Sequence, residues 1–242
     1  MTNVLMMPVY NEADGIVQFL DDIKLNLDLI IDYVLVVNDA STDATAEVIH
    51  KYSKFGERLL LVENQLNLGH GPSFLKGIQA TLSLNPINVI TVDGDGQFHA
   101  SEIAKLFDFF VENNLDVLEC ARTKRSDPFF RKLVTFSLRL FIFFRVARLP
   151  KDANTPLRIY KADILNDFVE KLPKNSLIPN LRFSALARRS DYRIGENVVT
   201  SLPRRGISTA GTTWKAKRQS LPSKRFIQFC FRALKELYNH PV

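Results

Sequence analysis

The sequence predicts an α/β domain: a mainly parallel central sheet flanked by helices. Two observations predict it. The first half alternates short β-branched runs with stretches of helical period, and the acidic and amide-rich motifs fall just after the apolar runs. Alternation at this spacing requires crossover connections, which are right-handed and lay helices over the sheet faces. With 242 residues, 46% hydrophobic and 24% charged, the chain is long enough to bury one large core. No internal repeat or low-complexity linker divides it.

The strands are expected at "VLMMPV" (4–9), "YVLVV" (33–37), "RLLLVE" (58–63), "NVITV" (88–92) and "DVLECA" (116–121). Helical periods fill 13–30, 43–54, 71–84 and 100–113 between them. Ser41, Thr42 and Asp43 offer caps for the second of these helices and Ser101 for the fourth. Further on, "DPFFRKLVTFSLRLFIFFRVARL" (127–149) reads as a helix with a narrow basic stripe through Arg131, Lys132, Thr135, Arg139, Arg145 and Arg148. In "PSKRFIQFCFRALKELY" (222–238), positions 225, 228, 232, 235 and 236 put polar residues on one side. Phe226, Ile227, Phe229, Phe231, Leu234 and Leu237 take the other. A basic amphipathic helix of this kind lies in a membrane interface or packs on protein.

Charge is unevenly divided. Residues 1–121 carry 6 Lys/Arg against 18 Asp/Glu, a net of −12, and residues 122–242 carry 26 against 8, a net of +18. The acidic half suits a cation, and the basic half suits phosphate, nucleic acid or an anionic membrane. No nucleic-acid recognition motif accompanies the basic half, so nucleic acid is not an expected partner. Cys120 and Cys230 have neither metal-site nor redox spacing, which suits a reducing compartment. The start, "MTNVLMMPVYNE", lacks the features of a signal peptide. Arg139, Arg145 and Arg148 interrupt the longest apolar segment, so no membrane span is expected.

"YNE" follows the first strand, "NDAS" the second and "DGDGQ" the fourth. Ligands of open α/β sheets bind beyond the carboxyl ends of the strands, so the three motifs meet at one site. Asp93 and Asp95 offer paired carboxylates and Gln97 a neutral oxygen, a donor set for a hard cation such as Mg²⁺ or Mn²⁺. An isolated D-G-D-G reads first as a simple turn, and only its context makes it a site. An EF-hand loop beginning at Asp93 is excluded, because Phe98 and Ala104 stand where Gly and Glu are required. A phosphatase-type aspartate nucleophile is disfavoured by the pair's place on the fourth strand.

Taken together, "PVYNEADG", "VVNDASTDAT", "NLGHGPSFLKGI" and "VDGDGQFHASEI" resemble the family 2 glycosyltransferases of the GT-A fold, over roughly residues 7–103. The resemblance implies that Pro8, Tyr10, Asn11 and Glu12 lie along the nucleoside and that Asp39 hydrogen-bonds the base. It implies a close-approach turn at Gly69 and Gly71, and a metal at Asp93, Asp95 and Gln97 holding the donor diphosphate. Lys76 needs no role. Asn38 and Ala40 depart from the family's D-D-G-S, which leaves the base open. The chemistry implied is inverting transfer from a GDP- or UDP-sugar.

"CARTKRSDPFFRKL", "DANTPLRIYKADIL" and "RRSDYRIGENVVTSLPRRGIST" resemble the polyprenyl-phosphate, dolichyl-phosphate mannosyltransferase-like members. That resemblance implies a lipid phosphate acceptor clamped by Arg122 and Arg131, with Arg204 or Arg205 in a loop that meets donor diphosphate or acceptor phosphate. A phosphate acceptor is already anionic and requires cations more than a base. A glycan hydroxyl acceptor, with Asp152 as base, is the alternative; a non-catalytic nucleotide-sugar-binding protein is another. The expected organisation is one catalytic domain over 1–210, with a donor and metal half (1–121) and an acceptor half (122–210). A basic amphipathic tail (211–242) follows. The expected location is the cytoplasm, peripherally at the cytoplasmic membrane face or on a membrane-protein partner.

Overall fold

Strand β1 (Asn3–Val9) lies at the heart of a seven-stranded sheet in the order β3-β2-β1-β4-β6-β5-β7. The computed structural model describes residues 2–123, 150–206 and 224–240. The remaining strands are β2 (Tyr33–Asn38), β3 (Leu59–Glu63), β4 (Asn88–Thr91), β5 (Val117–Thr123), β6 (Arg158–Lys161) and β7 (Ile194–Thr200). Helices α1 (Ala13–Leu27), α2 (Thr45–His50), α3 (His70–Leu82) and α4 (Ala100–Glu112) connect the first five strands. The second half adds α5 (Ala162–Glu170), α6 (Pro179–Arg188) and α7 (Lys224–Asn239). The expected 127–149 helix, with Arg131, falls outside the described residues.

Both sheet faces are covered, so β1, β2 and β4 run almost unbroken in apolar residues. Successive side chains alternate between faces. Leu5, Met7, Val34 and Val36 meet Phe19 and Ile23 of α1 and Ile103 and Phe110 of α4 on one side. Val4, Met6, Leu35 and Val37 meet Phe74 and Ile78 of α3, Leu165 and Phe168 of α5 and Phe183 of α6 on the other.

The sequence reading places β1–β4 to within a residue at either end and ends β5 two residues early, at 121 instead of Thr123, but it does not find β6. This strand enters antiparallel between β4 and β5, opposite Val89–Thr91 on one side and Val117–Glu119 on the other. Its partners explain the insertion. Arg158 of β6 is directly opposite Glu119 of β5, and the two form a fully buried ion pair at 2.9 Å. Glu119 also accepts from Arg188 of α6 at 2.7 Å, and Arg188 reaches Glu196 of β7 at 2.6 Å. One charged network thus ties β5, β6, β7 and α6 together. Arg158 further donates to the carbonyls of Ala153 (2.7 Å) and Thr155 (3.1 Å), which shapes the turn entering β6.

Helix α7 rests on this second half. Ala233 and Leu237 are buried against Ala153, Ile178 and Leu181. Glu236 clamps the turn before α6, bonding Ser176 Oγ and the Leu177 amide, the latter at 2.7 Å. Among the described residues no helix is long and apolar enough to cross a membrane.

Candidate functional site

The carboxyl ends of β1, β2, β4 and β5 open on one edge of the sheet, and the sequence motifs gather there. After β1 the chain turns through Asn11, whose φ of 55° is in the left-handed region that asparagine tolerates better than most residues. Its side chain explains the turn: Asn11 Oδ1 accepts from the Thr42 amide at 2.8 Å, and the Asn11 amide donates to Ser41 Oγ at 3.0 Å. The Glu12 amide donates to Thr45 Oγ1 at 2.8 Å, and Thr45 is held in turn by Asp43. Ser41 and Asp43, expected as caps for α2, therefore lace the loop after β2 to the loop after β1. Pro8 is within β1, and Tyr10 stands partly exposed at the bend that follows.

Ala40 also has a left-handed φ, 54°, at the position where the resemblance expects glycine. A Cβ there is strained by roughly 1 kcal/mol. Ala40→Gly is expected to raise the melting temperature by about 1–4 °C; a lower melting temperature would contradict that account.

Asp39 is buried and its carboxylate organises the next loop. It accepts from Asn64 Nδ2 and the Leu68 amide, both at 2.8 Å, and from the Gly69 amide at 2.9 Å. Asn64 also bonds Ser73 of α3 at 2.9 Å and accepts from Lys76 at 2.6 Å. Lys76 therefore supports the loop, although the sequence assigned it nothing. Gly69 has a φ of 85°, and a Cβ on Gly71 would meet the Ser176 carbonyl at 2.4 Å. Only glycine lets the start of α3 pack so closely on the 176–177 turn.

His70, between those glycines, was missed in the sequence. Its Nε2 is 2.9 Å from Asp93 Oδ1, and its ring stacks on Phe74. Partial burial opposes its protonation, but Asp93, then Asp95 and Asp39, outweigh this and raise its pKa above the usual imidazole value. A histidine opening a helix beside an acidic strand end was the available signal.

Asp93 and Asp95 follow β4 and crowd each other. Burial and then Asp93 push Asp95 up to about 6, against Arg204. Burial also disfavours the charged form of Asp93, but His70, Arg122 and Arg204 hold it below the ordinary aspartate value. Glu12 completes the acidic edge. Burial raises it to about 7; Arg204 opposes the rise and Asp95 and Asp93 add to it. Three carboxylates thus share one desolvated edge, a concentration of negative charge that a cation relieves.

The loop after β7 crosses this edge. The Leu202 amide bonds the Gln97 carbonyl at 2.8 Å, and the Arg205 amide bonds the Asp95 carbonyl at 3.0 Å. Arg204 forms an ion pair with Glu12, and its Nε lies 3.8 Å from Asp95, buried without a hydrogen-bond partner. Arg205 points elsewhere. It bonds the Gly96 carbonyl (3.1 Å), the Gln18 carbonyl (3.1 Å) and Asp22, and stacks over Phe19. The paired expectation for Arg204 and Arg205 therefore separates: Arg204 enters the acidic edge, while Arg205 fastens the loop to α1.

Arg122, at the end of β5, is clamped by Asp152. Its Nε donates at 2.9 Å and its Nη2 at 3.4 Å to the two carboxylate oxygens, and Nη2 also reaches the Asn154 carbonyl at 3.1 Å. This pairing makes Asp152 the anchor of the arginine, which weighs against its use as a general base.

The donor set fits a divalent cation of the hard type. Asp93 and Asp95 offer carboxylate oxygens at one strand end; the Gln97 amide bonds Asp95 Oδ1 at 3.3 Å and so orients it. Among the described residues no three His, Cys, Asp or Glu side chains enclose an ion by themselves. An ion held here would draw its remaining ligands from substrate oxygens and water, the usual pattern for Mg²⁺.

Comparison with known proteins agrees with this architecture. The glycosyl transferase family 2 model matches residues 4–168. An uncharacterized protein of Methanocaldococcus jannaschii, MJ0544, is 29% identical over 173 residues, covering 68% of this chain and 73% of that one. The undecaprenyl-phosphate 4-deoxy-4-formamido-L-arabinose transferase of Proteus mirabilis is 29% identical over 191 residues, 77% of this chain. This chain spans 56% of that longer enzyme. Among solved structures, glucosyl-3-phosphoglycerate synthase from Mycobacterium tuberculosis, in complex with Mn²⁺, uridine diphosphate and phosphoglyceric acid, superposes with a TM-score of 0.64. The identity is 13%, over 99% of this chain and 78% of that one, a likeness of GT-A fold. With the family model spanning well over half of its length, the chain belongs to glycosyl transferase family 2.

Proposed function

We propose that this chain moves a sugar from a GDP- or UDP-sugar to a polyprenyl phosphate at the cytoplasmic membrane face, inverting the anomeric carbon. The observation that carries the reading is one sheet edge on which Glu12, Asp93 and Asp95 crowd together while Arg122 and Arg204 project into the same field. Asp93 and Asp95, with Gln97 beside them, would hold Mg²⁺ or Mn²⁺. Such an ion supplies Lewis-acid stabilisation to the departing diphosphate.

The chain's own residues do the rest. Pro8, Tyr10, Asn11 and Glu12 form the wall along the nucleoside. Asp39, by fixing 64–69, sets the floor around Gly69 and Gly71. Arg204 can exchange its Glu12 partner for a phosphate oxygen, which its unsatisfied Nε favours. Arg122 and, from sequence, Arg131 supply positive charge for the acceptor phosphate. An acceptor phosphate oxygen donates an electron pair to C1, the old C1–O bond breaks, and the nucleoside diphosphate leaves with that bond's pair. No proton has to be removed, which agrees with the engagement of Asp152 by Arg122. The undecaprenyl-phosphate transferase relative supports the choice of acceptor.

The test incubates purified protein and Mg²⁺ or Mn²⁺ with labelled nucleotide sugars and a polyprenyl phosphate. Label extracted into organic solvent is the expected result. Label found only on a soluble glycan would replace this reading with the hydroxyl-acceptor alternative. Donor binding without any turnover would make the chain a binding protein.

A further inference from the structure

We propose that the outward face of α7 is a docking surface for an anionic lipid bilayer. This deepens the proposed function, since it rests on a lipid acceptor and names the surface that meets the lipid. The expected single apolar side of this helix is divided in the structure. Ala233 and Leu237 point inward and are buried, whereas Ile227, Phe231, Leu234 and Tyr238 form a second stripe on the outside. Phe231 is 70% exposed and Tyr238 84%. At four- and three-residue spacing these four share one face over about 16 Å of helix.

Charge selects the occupant. Lys235 is exposed beside the stripe, one turn from Phe231 and from Tyr238, and Arg232 is exposed one turn before Lys235 on its far side. Long cationic side chains beside an apolar stripe can reach lipid headgroups while the stripe enters the acyl boundary. A second copy of the same face would bring these like charges together. The helix is also held so that it presents the stripe: Glu236 grips Ser176 and Leu177, and Arg182 donates to the His240 carbonyl at 2.8 Å. Ala153, buried beneath α7, follows Asp152, the anchor of Arg122. The outward stripe therefore lies on the element packed against the Arg122 end of the site, where a lipid phosphate would arrive.

The experiment measures co-sedimentation of the full chain with phosphatidylcholine vesicles, with and without phosphatidylglycerol, and without polyprenyl phosphate or donor. Phe231→Ser/Leu234→Ser is expected to weaken binding about thirty-fold or more. Arg232→Gln/Lys235→Gln is expected to weaken binding to the anionic vesicles about twenty-fold and to leave the weak binding to phosphatidylcholine unchanged. All altered side chains are exposed, and unchanged circular dichroism and melting would show that the fold is retained. Equal vesicle binding by wild type and Phe231→Ser/Leu234→Ser would overturn the proposal. So would a wild-type dimer, dissociated by that variant, that binds no vesicles. Transfer to a short, water-soluble prenyl phosphate tests the acceptor reading separately: it should persist in the stripe variants. If it is absent in wild type while vesicle binding follows the stripe, the acceptor reading fails and the docking surface stands.

Discussion

Replacing Glu119 with glutamine is expected to destabilise the fold by about 3–5 kcal/mol, the usual effect of removing one partner from a buried ion pair. The fully buried Arg158 loses its only carboxylate within ion-pair distance among the described residues. Arg188 keeps Glu196. For a chain of this size the loss corresponds to roughly 6–20 °C in melting temperature. Removing the exposed Glu47–Lys51 pair, by contrast, should leave melting unchanged. Glu119→Leu/Arg158→Met should melt above Glu119→Gln, because an apolar pair leaves no orphaned charge. A shift of under about 2 °C for Glu119→Gln at neutral pH would show that water reaches the network.

The pH dependence has a definite sign. Burial raises the Glu119 pKa, but Arg158 and then Arg188 outweigh it, so the folded value lies below the ordinary glutamate value. Its stabilisation is fully present above the unfolded pKa of about 4.3 and is lost as the pH falls through the folded value. The gap between wild type and Glu119→Gln should therefore narrow in acid below about pH 4. The consequence reaches the site, because Arg158 holds the turn from which Asp152 grips Arg122.

That network also shows where the sequence could be read and where it could not. Strands β1–β5 and the helices between them follow from local apolar runs and periodicity, so their signals lie within a dozen residues; the expected caps do not form, since α2 is preceded by Ala44 and α4 by His99, neither with a side-chain cap bond. The place of Asp39, Asp93 and Asp95 at the carboxyl edge of the sheet was legible because apolar runs precede them: Asp39 directly follows β2, and Asp93 and Asp95 stand two and four residues past β4. Strand β6 was not, since "RIYK" has only four residues and a charge at each end. Its place depends on Glu119, 39 positions earlier, and such a pairing has no local signature. The same holds for Arg205, adjacent to Arg204 in sequence but directed to Asp22, and for Glu236, whose partners are Ser176 and Leu177. The two faces of α7 were blurred because periodicity marks apolar positions but not which of two directions meets protein.

Asp95→Asn is expected to separate stability from function. At neutral pH, Asp95 stays ionised against its surroundings, since burial and then Asp93 raise its pKa to about 6 while Arg204 opposes them. A neutral side chain of the same shape relieves that repulsion, so the ligand-free variant should melt no lower than wild type. The same change removes one of the two carboxylates proposed to hold the cation. Mn²⁺ at about a hundred times its dissociation constant should stabilise wild type by about 2.7 kcal/mol, and this increment should vanish in the variant. Sugar transfer should fall by about 10²–10³, the usual effect of losing one group that stabilises developing charge. An undiminished Mn²⁺-induced rise in melting temperature would remove the ion from this carboxylate pair. A variant that melts far below wild type would instead make Asp95 a structural residue, its carboxylate holding the turn through the Gln97 amide and Arg204.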